Sequence, residues 1–182
     1  VSITDLAFLQ SQLSDTSAVI SYVWDIDDDN YDYLYFLLVT KSHCKLLVVK
    51  EVSSIGKLID DFNQAVAKPF ETQQETEKFR SIANELYLKL FPSEEIRNII
   101  KGKKLLILPD HKIHGIPFEA LVADQKTGRY LIEENEISYA YSMSFLFHNE
   151  NIKRTPSEQM ISFSPVNFQY DELAPLKQSA QE

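Results

Sequence analysis

Leu105, Leu106, Ile107 and Leu108 form an uninterrupted apolar run closed by Pro109. Four residues are too few for a helix. An apolar run without alternation predicts a central strand covered on both faces by other layers, and so an α/β architecture. In open α/β sheets, ligands and reacting groups gather where the strands end. Asp110, His111, His114 and Glu119 are therefore the first residues to weigh for chemistry.

The segments around this strand predict the rest of the architecture. Leu6, Phe8, Leu9 and Leu13 suit the inward face of a short helix capped by Ser2 or Thr4. Residues 18–24, 31–40 and 44–49 are rich in Val, Ile, Tyr and Leu, and their short polar connections suit an antiparallel meander. Ile55, Leu58, Ile59, Phe62, Ala65 and Val66 recur at helical spacing after Ser53 and Ser54 and stop before Pro69. Thr72 and Glu75 have capping-box spacing, and Phe79, Ile82, Ala83, Leu86, Tyr87 and Leu90 line one face up to Pro92. Ser93 caps a short helix with Glu94 and Glu95 in its first turn and Ile96, Ile99 and Ile100 inward. These helices are expected to pack the sheet and nothing more. Beyond the central strand, 117–121 suits one helical turn, 130–133 and 137–141 two short strands, and 143–148 a further helical turn. Residues 160–164 read as a parallel strand, and 173–182 as a helix cut off in its course. That ending, with a start at Val1 in place of methionine, predicts an incomplete domain.

Composition excludes several functions. The chain of 182 residues carries 18 basic and 27 acidic residues, a net charge of −9, which repels phosphate backbones and argues against direct nucleic-acid binding. Its four glycines, Gly56, Gly102, Gly115 and Gly128, are spaced too widely for a GxGxxG or Walker A loop. No apolar stretch reaches the roughly 18 residues of a membrane helix, and no targeting segment is visible. The lone Cys44 permits no internal disulfide, which agrees with a reducing, cytoplasmic home.

Each possible reacting group has a plainer competitor. Asp25, Asp27 and Asp29 have the opening spacing of a calcium loop, but Asn30 and Phe36 stand where glycine and a bidentate glutamate are needed. A solvated hairpin tip fits better. His43 adjoins Cys44, yet neighbours on a strand point to opposite faces, and Cys44 reads as a small buried hydrophobe. His111 and His114 suggest a metal pair, but Gly115 and Pro117 forbid a long helix and no second ligand pair is evident. The preferred reading is a turn in which Asp110 satisfies backbone amides. Ser142 and Ser144 lack a nucleophile elbow. No residue is assigned as catalytic, metal-binding or cofactor-binding, and no cofactor is expected.

Four blocks carry a family resemblance. They are Leu106-Ile107-Leu108-Pro109-Asp110, then Ile113-His114-Gly115-Ile116-Pro117-Phe118-Glu119-Ala120-Leu121, then Tyr130-Leu131-Ile132-Glu133, then Ile137-Ser138-Tyr139-Ala140 with Ser142 and Ser144. In order and spacing the chain resembles the CHAT family, caspase-like domains often joined to TPR repeats, and residues 6–182 are compatible with the family's first half. The resemblance implies an α/β sheet flanked by helices, with an N-terminal meander and helices over 1–102 and the first caspase-like strands over 103–182. Active members are cysteine endopeptidases whose histidine lies in a His-Gly motif and whose cysteine lies in a Ser-Ala-Cys-like motif, each after a later strand. His114-Gly115 comes too early and Cys44 earlier still, so the dyad is expected beyond Glu182. The implied parent is a peptidase cleaving a specific protein substrate once a regulatory partner or ligand activates it through TPR-like repeats, with this segment inactive alone. The alternatives are a non-catalytic scaffold or pseudoprotease, and a metal hydrolase using His111 and His114.

Overall fold

The structure is a computed structural model that describes residues 3–26, 32–50 and 52–142. The first helix, α1 (Ile3–Gln12), leads into three strands, β1 (Ser17–Ile26), β2 (Asp32–Thr40) and β3 (Cys44–Val49). Three helices come next, α2 (Val52–Val66), α3 (Gln73–Leu90) and α4 (Glu94–Ile100), and then β4 (Lys104–Leu108). After β4 come two 3-10 turns (His111–Gly115 and Phe118–Ala120), a ribbon of β5 (Val122–Asp124) and β6 (Arg129–Tyr130), a third 3-10 turn (Leu131–Glu133), and β7 (Glu136–Tyr139). The tip of the calcium-like loop at residues 27–31, the helical turn over 143–148, Ser144, the strand over 160–164 and the final helix lie outside the described residues.

The strands form a mixed five-stranded sheet in the order β3-β2-β1-β4-β7. The meander is antiparallel, whereas β4 lies parallel to β1 and β7 parallel to β4. The apolar run thus occupies the interior position that its lack of alternation requires. Leu105 and Ile107 face the larger core with Ala18, Ile20, Tyr22, Leu34, Phe36 and Leu38, under α2, α3 and α4. Leu106 and Leu108 face the other layer with Val19 and Val39, beneath Leu6, Leu9 and Leu13 around α1. Phe8 departs from its expected inward place and is half exposed. The α1 stripe is two turns long, and Leu6, Leu9 and Leu13 already fill the contact.

Local rules set the helix ends. The Thr72 hydroxyl accepts from Glu75 N at 3.2 Å, and the Glu75 carboxylate accepts from the amides of Thr72 at 3.0 Å and Glu71 at 2.8 Å. Those amides, Glu71 first, hold the Glu75 carboxyl below its usual range. A Thr72→Ala variant is expected to lose about 1 kcal/mol, read from the urea midpoint, because one first-turn amide loses its acceptor. The Ser93 hydroxyl caps α4 by accepting from Ile96 N at 3.2 Å. In α2 the helix begins at Val52, so Ser53 and Ser54 lie within its first turn and are not its cap. Burial of Val52 beside Ile55 extends the apolar stripe one turn earlier than the serines suggest.

Beyond β4 the chain is fixed by a turn and by a buried amide. The expected strand over 130–133 is strand only at Arg129–Tyr130, after which Leu131 turns inward and is buried. The Glu133 carboxylate accepts from Tyr130 N at 2.6 Å and closes the 3-10 turn. Buried Asn135 donates from Nδ2 to Ile100 O at 2.7 Å and Lys103 O at 2.9 Å, tying the exit of α4 to the entry of β7.

Candidate functional site

The parallel strands β1, β4 and β7 end at one edge of the sheet, and the loop after β4 is fastened there. Asp110 uses both carboxylate oxygens, accepting from Trp24 N on β1 at 2.9 Å and from His111 N at 2.9 Å. This is the amide-satisfying turn the sequence favours. Its Trp24 partner lies too far along the chain to be read locally. His111 has φ of 47°, a left-handed conformation that costs a non-glycine residue about 1–2 kcal/mol. Its ring packs on the Trp24 indole with centroids 5.5 Å apart. Lys112 reaches α2, where Nζ lies 2.8 Å from the Asp60 carboxylate. Ile113 anchors the turn inside the core, and His114 and Gly115 remain exposed.

The next segment is held from below. Phe118 is fully buried, with its ring 5.9 Å from Tyr22, 6.3 Å from Phe91 and 6.2 Å from Tyr139. Tyr139, at the end of β7, accepts from Phe118 N at 3.1 Å and donates to Glu119 at 2.7 Å. Burial, then the Glu119 carboxylate, raises the phenol well above its ordinary value. One hydroxyl therefore couples β7 to the loop after β4. Tyr139→Phe is expected to cost about 1–2 kcal/mol in chemical denaturation, since the Phe118 amide loses its acceptor.

The other weighed residues do not converge here. Cys44 opens β3, level with Leu106 through Val39 and Val19 and three strands away from β4. At about 4.8 Å per strand and 3.3 Å per residue, that sets it roughly 20 Å from Asp110. It is also exposed, not the buried hydrophobe its neighbours suggest, because β3 is the outer strand of the described sheet and its alternate positions face away from the larger core. His43 belongs to the β2–β3 turn, its Nδ1 2.9 Å from Ser42 Oγ and 3.3 Å from Thr40 Oγ1. Among the described residues, no three His, Cys, Asp or Glu side chains stand close enough to hold a metal ion. A cavity of about 630 Å³ lies between α2 and α3, floored by Phe70, Phe79 and Ile82. None of Asp110, His111, His114 and Glu119 lines it.

What the arrangement supplies is a fastened strand edge with two exposed histidines and, among the described residues, no cysteine within reach. No helix among those residues is long and apolar enough to cross a membrane. Residues 80–182, more than half of the chain, match the family model of the CHAT domain. No curated protein matches the chain.

Proposed function

Because the chain belongs to the CHAT domain family, whose members are caspase-like, we propose that it forms the N-terminal part of a cysteine endopeptidase. Its His-Cys dyad is supplied by residues after Glu182, and the fastened loop 110–121 walls one side of the substrate cleft. The observation that carries this reading is the separation of the single cysteine from the strand edge that bears His111 and His114. A thiolate must lie within hydrogen-bond reach of its base, and a separation of roughly 20 Å argues against a dyad of Cys44 with His111 or His114. The segment alone hydrolyses nothing. Within the parent polypeptide it acts on a specific protein substrate, under control of a partner sensed through TPR-like repeats, in the cytoplasm.

The test uses the complete parent polypeptide carrying Cys44→Ser. Peptide hydrolysis is expected to match wild type, to remain sensitive to thiol alkylation and to be indifferent to chelators. Loss of hydrolysis in Cys44→Ser would overturn the placement of the nucleophile. A second reading, a non-catalytic scaffold, draws on the exposed apolar Leu46 and Val48, and a parent with no alkylation-sensitive hydrolysis supports it. Chelator-sensitive hydrolysis would instead favour a metal site at His111 and His114.

A further inference from the structure

Among the described residues, the outer side of β3 pairs with no strand, and it carries a recognition pattern that is independent of any peptidase activity. At the β2–β3 turn, Thr40 N donates to His43 O at 2.8 Å. Because hydrogen bonding alternates along an antiparallel pair, His43, Lys45, Leu47 and Val49 direct their backbone groups to β2. Cys44, Leu46 and Val48 therefore direct theirs away from the sheet. The side chains of the same three residues share one face and are exposed, Leu46 by 63% and Val48 by 48%. A row of outward amides and carbonyls at strand spacing accepts another extended backbone and little else.

Charge selects among extended partners. Residues 41–50 contain Lys41, Lys45 and Lys50 and no acid in a chain of net charge −9, with Glu51 the first acid after them. Lys41 pairs with Asp15 at 3.3 Å and Lys45 with Glu95 at 2.9 Å. Such exposed pairs are worth at most about 1 kcal/mol and yield readily to a competing carboxylate. A second copy supplies less of this charge complementarity. Full antiparallel overlap about Leu46 would set Lys50 of one copy opposite Ser42 and Lys45 opposite Leu47 of the other, with an acid, Glu51, opposite Lys41 alone, so Lys45 would meet no carboxylate. We propose that the outer edge of β3 binds an extended segment of a partner protein as an added strand, a segment with alternating apolar residues facing Leu46 and Val48 and acidic residues on the other face, beside Lys45.

The test is fluorescence anisotropy of the full chain with a labelled peptide, Glu-Val-Glu-Val-Asp-Val-Glu, and with its counterpart carrying lysine at every acid. The acidic peptide is expected to bind at least tenfold more tightly than the basic one, with affinity falling as salt rises. Its addition should slow amide exchange at Cys44, Leu46 and Val48. Leu46→Pro removes an outward amide and no β2–β3 bond, so it should abolish binding while leaving the far-ultraviolet circular dichroism unchanged. If proline disrupts the strand, the double variant Leu46→Thr, Val48→Thr keeps the backbone and adds no charge, and at least a tenfold loss is expected. Absent binding, equal binding of both peptides, wild-type binding by Leu46→Pro in a folded chain, or a dimer that Leu46→Pro dissolves would each overturn the proposal.

Discussion

Replacing Phe118 with alanine is expected to destabilise the fold by about 3–5 kcal/mol, a large part of the roughly 5–15 kcal/mol that holds a domain together. The ring is fully buried and meets Tyr22 of β1, Phe91 at the end of α3 and Tyr139 of β7. It lies in a 3-10 turn whose backbone is tied to Tyr139, so the surroundings cannot collapse into the vacated space without breaking that tie. Large-to-small changes cost most where relaxation is blocked. Urea denaturation of Phe118→Ala beside Ile132→Ala is the check. Ile132 is 55% exposed and should change stability by no more than about 0.5 kcal/mol. Equal losses in the two variants would contradict the central place given to Phe118.

The second large effect is alkaline unfolding. Burial raises the Tyr22 phenol well above its ordinary value, with Tyr87 adding to it, and the hydroxyl donates to Leu90 O at 3.0 Å. Tyr87 is pushed up to about 12, chiefly by burial, with Arg97 opposing the rise and Glu134 adding to it. In the unfolded chain both titrate near 10. Below pH ~10 both states hold these protons and stability is complete. Above it the unfolded chain releases them while the folded chain keeps them, so unfolding becomes more favourable until pH approaches the folded values. Each tyrosine contributes a slope of about −1.4 kcal/mol per pH unit in that window. Urea midpoints between pH 9 and 11.5 should fall accordingly, and Tyr87→Phe should roughly halve the part due to the pair. A slope unchanged in Tyr87→Phe would contradict this assignment.

How far the fold can be read from the chain depends on how local its causes are. The interior position of β4 comes from four adjacent apolar residues, and the start of α3 from the Thr72–Glu75 pair, since both signals lie within a few residues. The β5–β6 ribbon has no such signal, because strands of three and two residues are too short to show alternation. Its one legible clue is the turn, where the Asp124 carboxylate accepts from Lys126 N at 2.9 Å and Thr127 Oγ1 at 2.8 Å. Gly128, with φ of 69°, then takes the left-handed step. The exposure of Cys44 is illegible for a different reason. A strand's hydrophobicity does not reveal whether it lies inside or at the rim, and that is decided by pairing with distant partners.

The same distinction separates the two halves of the candidate site. Asp110 as an amide acceptor is readable from its place after the strand, and one of its two bonds is indeed to the next residue. The other, to Trp24, and the packing of His111 against that indole need the parallel pairing of β1 with β4. The Tyr139 bridge to Phe118 and Glu119 likewise spans 20 or so residues and emerges only when β7 docks beside β4. Loop anchoring is thus set by the sheet, and the sheet by the apolar run that opens the family-matching blocks.

A peptide-mass map of the native parent polypeptide, read through the residues after Glu182, tests the central claim most directly. The account predicts a continuation carrying a His-Gly after one strand and a cysteine after a later one, with that cysteine the site of active-site alkylation. A native polypeptide that ends at Glu182, or continues without that pair, would contradict the peptidase reading.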